Sequence, residues 1–165
     1  MLRIAAILST LAFALLASAG GAAASVMSYD DLPHRVREQL REIEMACLSI
    51  GGRPGDPMET IGFYDFDADG MPDIVFDQNR YRCAGFREGE FCPEIGCYTY
   101  VTLSRNGRWT PAFEVVGSYC VETDVTPPRF VTIQRNFTAD GGSSLIRVRY
   151  RFRNGLAIQD GRGSC

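Results

Sequence analysis

The chain of 165 residues contains no lysine, and all 17 of its basic residues are arginines. That absence excludes Schiff-base formation and a lysine general base. A high-GC coding bias accounts for it without any functional reason. Histidine is almost missing too: His34 is the only one. It sits among charged residues on a helix-forming stretch, as a solvated side chain does. No Ser-His-Asp set, Cys-His pair or histidine-rich metal cluster is visible. No glycine-rich phosphate loop is present. The formal net charge is −3, without the positive field a nucleic-acid binder carries. Beyond the N-terminus no apolar run is long enough to cross a membrane.

The N-terminus itself reads as an export signal over residues 1–24. Arg3 supplies the positive start, Ile4 to Leu16 the apolar run, and Ala22-Ala23-Ala24 a small-residue cleavage site before Ser25. Ala17-Ser18-Ala19 is a second cleavage option, and an uncleaved anchor is the alternative reading. No cysteine lies near the site, which argues against a lipid anchor. The mature part, 25–165, would hold about 141 residues, one domain's worth. All six cysteines, Cys47, Cys83, Cys92, Cys97, Cys120 and Cys165, fall within it. An even count after an export signal predicts disulfides and a periplasmic or secreted location. Zinc is disfavoured, because C-x8-C-x4-C has no short C-x2-C knuckle. Many pairings remain open. Cys92 and Cys97 bracket Pro93-Glu94-Ile95-Gly96, a length that closes a small loop. By elimination Cys47 would join Cys83, and Cys120 would join Cys165.

Periodicity gives the architecture. Leu32, Val36, Leu40, Ile43, Cys47 and Ile50 recur at spacings of three and four, which predicts an amphipathic helix. Asp30 and Asp31 precede it, Pro33 suits its first turn, and Gly51-Gly52 ends it. Strands are expected at Ile61 to Tyr64, Asp73 to Asp77, Tyr98 to Ser104, Trp109 to Val116, Arg129 to Phe137, Leu145 to Arg153 and Leu156 to Gln159. Asn106-Gly107 and Asn154-Gly155 are hairpin turns. In Leu145 to Arg153, Ile146, Val148, Tyr150 and Phe152 share one face, and Arg147, Arg149, Arg151 and Arg153 the other. The expectation is an α+β domain: one N-terminal amphipathic helix packed on a disulfide-stapled antiparallel meander.

The chemically specific stretch is Asp65-Phe66-Asp67-Ala68-Asp69-Gly70-Met71-Pro72-Asp73. Carboxylates at every second residue, with a glycine to turn the backbone, set hard anionic oxygens on one wall. Ca2+ takes such ligands. Asp65, Asp67, Asp69 and Asp73 are the expected side-chain ligands, with Met71 giving its carbonyl. Without an ion the carboxylates repel, and their pKa values rise. The loop is not an EF-hand: its twelfth position is Phe76, where a bidentate Glu is needed. A metal-free polar turn is the alternative.

With Ile74-Val75 this stretch resembles the calcium loop of FG-GAP and VCBS-type repeats, D-x-D-G-D-G-x-x-D-[IL]-V. Ala68 stands in place of a glycine. The resemblance implies a calcium-binding loop between two strands. A propeller needs several copies and the chain has one, so neither that fold nor its adhesive role is implied. The wider pattern of helix, loop and clustered cysteines resembles small exported, cysteine-rich bacterial proteins.

Three functions are open. The first is an exported, calcium-stabilised binding domain without catalysis, its partner a protein or an anionic glycan; the arginine strand face suits an acidic surface. A solvated sheet face is the plainer account of those arginines. The second is a periplasmic inhibitor of a hydrolase, a lysozyme or a protease, presenting the stapled Cys83–Cys97 region. The third is a small hydrolase using two carboxylates from Glu88, Glu90, Glu94, Glu114 and Glu122. Asn136-Phe137-Thr138 fits a glycosylation sequon, meaningful only in a eukaryotic secretory route.

Overall fold

A computed structural model describes residues 27–87, 89–137 and 139–165. The expected export signal, Glu88, and Thr138 of the sequon lie outside the described residues.

The chain is mainly β, with one α-helix among the described residues. Helix α1 spans His34–Ser49. Ten strands follow: β1 Arg53–Pro54, β2 Ile61–Tyr64, β3 Asp73–Asp77, β4 Cys83–Ala84, β5 Tyr98–Arg105, β6 Arg108–Val116, β7 Ser118–Glu122, β8 Arg129–Phe137, β9 Ser143–Arg153 and β10 Leu156–Arg162. They form two four-stranded antiparallel sheets, β2-β3-β5-β6 and β10-β9-β8-β7, and a small ribbon of β1 with β4.

The α+β meander expected from the sequence is therefore corrected to a mainly β chain with two sheets. The cause is the corner after β6. Gly117 has φ 132°, and a β-carbon there would stand 2.6 Å from the Ile133 carbonyl oxygen. Only glycine allows that approach. The chain turns there into β7, which pairs with β8 rather than β6. Ser118–Glu122 lacks a clear two-residue alternation, so this strand was not legible in advance.

The β2-β3-β5-β6 sheet is covered on both faces, which explains why every residue of β3 is buried. Ile74 and Phe76 join Leu32, Val36, Leu40, Ile43 and Cys47 of the helical segment in one core cluster. Val75, Val101 and Leu103 meet Phe130 and Phe152 of the second sheet in another. Ile50 departs from the expected stripe: it lies past the last turn of α1 and is 41% exposed.

Disulfides join Cys47 to Cys83, Cys92 to Cys97 and Cys120 to Cys165. The first ties α1 to β4. The last fastens the C-terminal segment to β7. There Gly163 packs so closely on Val131 that a β-carbon would stand 2.2 Å from a valine methyl.

Strand β9 keeps the expected alternation only in its second half. Tyr150 is half-buried and Phe152 buried, whereas Leu145 and Ile146 are exposed. The β8–β9 hairpin runs past the end of the core, so Leu145 and Ile146 in its outer half stay exposed.

Candidate metal centre

The acidic loop connects β2 to β3, which pair directly up to Tyr64↔Asp73. Phe66 anchors the loop. It is fully buried in the second core cluster, with its ring 6.0 Å from that of Phe130 and 5.3 Å from that of Phe152. Burying such a side chain contributes about 1.5–3 kcal/mol, so the flanking aspartates are held on a fixed base. Ala68 has φ 60° and Gly70 φ 83°. The non-glycine residue in that left-handed region is strained by roughly 1 kcal/mol.

Hydrogen bonds shape the rest. Asp65 accepts from the Asp69 and Gly70 amides, both at 3.1 Å. Asp69 accepts from the Met71 amide at 2.9 Å. Asp73 is fully buried and accepts from the Phe66 amide at 2.8 Å and the Ser104 amide at 2.9 Å. It thereby clamps the loop to β5.

Carboxylate oxygens of Asp65, Asp67 and Asp73 lie within 4.8 Å of one another, close enough to share a cation. Asp69 is exposed, bonds back to the loop and is not in this group; the Met71 side chain is also exposed. The structure thus gathers three of the four expected carboxylates.

The decisive atom is on Asp67. Its side chain is only 8% exposed. Oδ2 lies 3.2 Å from Arg105 Nε, while Oδ1 is buried with no hydrogen-bond partner among the described residues; the nearby Asp69 amide bonds to Asp65 and only favours the Asp67 charge from a distance. An unpaired anionic oxygen out of water is costly, and a cation among the three carboxylates would satisfy it. Burial pushes the Asp73 carboxyl up to about 6; the two amides oppose the shift, and Asp67 and Asp65 add to it. Burial also raises Asp67, followed by the charge of Asp69, with Arg105 opposing. A cleft of about 230 Å³ opens beside the group, lined by Asp67, Asp69, Arg105, Asn106, Arg153 and Asn154 among others.

Arg105 and the Ser104 amide were missed in the sequence. The only signal was their place just before the Asn106-Gly107 turn, and nothing local links that turn to the loop. A second buried aspartate was missed as well. Asp77, at the far end of β3, accepts from the Asn79 amide at 2.9 Å and its side-chain amide at 2.7 Å, beside the Thr99 hydroxyl at 3.1 Å. Asn79 also donates to the Gly117 carbonyl at 2.9 Å, which fixes the corner between the sheets.

The other expected groups are placed as follows. His34 is exposed on α1 with Nδ1 3.4 Å from Glu38. Glu122 is buried and fully engaged: Oε1 accepts from the Ser164 amide at 2.6 Å and Oε2 lies 3.4 Å from Arg149 Nη1. Glu90 is exposed and accepts from the Arg87 amide at 2.9 Å; Glu94 and Glu114 are exposed on separate elements. The arginine face of β9 is divided, since Arg149 is tied to Glu122.

No protein-family model matches the chain, so the likeness to FG-GAP and VCBS-type repeats rests on the loop alone. No curated protein and no solved structure matches it either.

Proposed function

We propose that the chain is an exported interaction domain without catalytic activity, whose acidic loop binds Ca2+ as a structural brace. The observation that carries this reading is the buried Oδ1 of Asp67, without a partner among the described residues, beside the carboxylates of Asp65 and Asp73. Calcium suits the site better than magnesium. It accepts irregular, partly bidentate oxygen shells, whereas magnesium demands a near-ideal octahedron. Three disulfides fit an oxidising, periplasmic or extracellular setting. No described helix is long and apolar enough to cross a membrane. Extracellular calcium modules bind with Kd near 10⁻⁴ to 10⁻³ M, so 1 mM calcium would add about 0.4–1.4 kcal/mol.

Titration calorimetry on the unreduced, exported protein tests the reading. Saturable heat with CaCl2, lost in Asp67→Asn, is expected. No heat in the wild type sinks it.

A second reading, an inhibitor of a lysozyme or protease, is favoured by one feature. Ile95 is 65% exposed inside the loop closed by Cys92 and Cys97. Its test is an inhibition assay against both hydrolase classes with wild type and Ile95→Asp; equal or absent inhibition by the two proteins rejects it.

A further inference from the structure

The pairing of β9 is unequal on its two sides. Toward β8 it continues out to Phe137↔Ser143. Toward β10 the last pair is Arg162↔Val148, and beyond it, among the described residues, only the Gly163 amide reaches the Arg147 carbonyl, at 3.3 Å. Backbone groups in an antiparallel strand change sides at each residue. If Arg147 bonds toward β10, then Leu145 and Ser143 point their N–H and C=O groups the same way, where β10 has ended. The free lane along Ser143 to Arg147 is roughly 16 Å long, at about 3.3 Å per residue.

A cleft of about 480 Å³ occupies this lane, lined by Ser144, Leu145, Ile146, Arg147, Arg162 and Gly163. Its walls carry exposed apolar surface: Leu145 is 57% and Ile146 40% exposed. Arg147 and Arg162 flank it, and Arg135 stands opposite Leu145 on β8. None of these three arginines forms an ion pair with another described residue. Arginines on an open edge repel a second cationic edge. Pairing two copies here would bring Arg147 and Arg162 against their own kind, so the charges select an acidic occupant.

We propose that this lane is a strand-addition site for an extended, acidic segment of a partner protein, with apolar and carboxylate side chains in alternation. The partner's backbone would continue the ladder that β10 leaves. Its carboxylates would meet Arg147 on one face of the ladder, and its apolar side chains would cover Ile146 on the other, beside the stem of Arg162. The proposal rests on reading the chain as an interaction domain, not on the bound ion, which concerns the other sheet.

The test uses a fluorescein-labelled nonapeptide of alternating valine and glutamate, with a valine–lysine peptide as its opposite. Fluorescence anisotropy is followed with the unreduced protein in CaCl2 and again in EDTA. Saturable binding of the glutamate peptide in both buffers is expected, with the lysine peptide weaker by about tenfold or more. Hydrogen exchange should slow at the Ser143 and Leu145 amides. Arg147→Glu with Arg162→Glu should reverse the preference between the peptides while leaving the unfolding temperature in place. Leu145→Pro removes an edge donor and should weaken binding about tenfold; if it fails to fold, the charge reversal decides. Equal binding of the two peptides, no binding, or no protection at Ser143 and Leu145 overturns the proposal. So does a concentration-dependent dimer on this edge, or a heparin hexasaccharide that binds the arginines while the peptide does not. Calcium heat without peptide binding defeats this site alone, and peptide binding without calcium heat defeats the ion alone.

Discussion

Arg105 Nε lies 3.2 Å from Asp67 Oδ2, so the end of β5 holds the centre of the acidic loop. The same guanidinium reaches the β9–β10 turn, where a β-carbon on Gly155 would stand 3.3 Å from Nη1. One side chain thus bridges a loop of the first sheet and a turn of the second. It also supplies a positive charge where the proposed ion would sit close by. Arg105→Ala should lower the stability of the protein in EDTA by up to about 1 kcal/mol. It should also raise calcium affinity, because a competing cation is gone. Unfolding in EDTA together with calorimetry in CaCl2 reads both; weaker calcium binding in the variant contradicts the competition.

The three gathered carboxylates and Asp69 should separate in a mutant series. Calcium at 1 mM should raise the unfolding temperature of the wild type by about 1–5 °C. Asp65→Asn and Asp67→Asn should abolish the rise. Asp69→Asn should retain most of it, since Asp69 lies outside the cluster. Differential scanning fluorimetry with CaCl2 and with EDTA distinguishes them. A full response in Asp67→Asn ends the assignment.

Asp73 and Glu122 should respond to pH with opposite signs. The folded Asp73 carboxyl is raised from 3.8 to about 6, chiefly by burial. Its contribution to stability is complete below the unfolded value and lost as pH rises through the folded one. Glu122 is lowered from 4.5, first by the Ser164 amide. Its contribution is present above the unfolded value and lost as pH falls through the folded one. In EDTA the Asp73 carboxyl carbon should titrate near 6 by NMR, and millimolar calcium should move that titration down. An Asp73 titration unchanged by calcium places the ion elsewhere.

Phe66→Ala should cost about 3–5 kcal/mol by leaving a void between the sheets. It should weaken calcium binding as well, because the ring fixes the loop that carries Asp65 and Asp67. Denaturant unfolding and calorimetry on the same sample measure the two losses. A destabilised variant with unaltered calcium affinity shows that the anchor does not shape the site.

The bridges should differ with the length of chain they close. Cys120 and Cys165 are 45 residues apart, and Cys92 and Cys97 only 5. Chain entropy assigns about 4 kcal/mol to the longer loop and about 2 kcal/mol to the shorter. Paired Cys→Ser variants compared by urea unfolding should follow that order. Mass spectrometry of the unreduced protein should find no free thiol among the six cysteines.

Much of this was legible residue by residue. The helix stripe from Leu32 to Cys47 and the strand around Tyr150 and Phe152 follow from local periodicity, which one face of burial imposes. The loop was visible because the carboxylates that crowd together are neighbours in sequence. The Cys92–Cys97 pair was visible for the same reason. Strand β7 was not, since its place depends on the Gly117 corner and the strand it meets after it. Nor was the freedom of Leu145 and Ile146: their pattern reads as core, and only the length of the hairpin relative to β7 and β10 beside it leaves them in water.

The amino-acid order alone settled what short-range chemistry settles: an arginine-only basic set, a disulfide-forming cysteine count, one amphipathic helix and an aspartate-rich turn. The folded chain alone decided which aspartates converge, that Asp67 keeps an oxygen without a partner among the described residues, and that β10 stops before β9 does. These depend on contacts that the loop and the strands make with residues far along the chain, such as Arg105 beside Asp67 and the Ser104 amide on Asp73. Packing of Phe66, Phe130 and Phe152 fixes those contacts, and no local pattern encodes them.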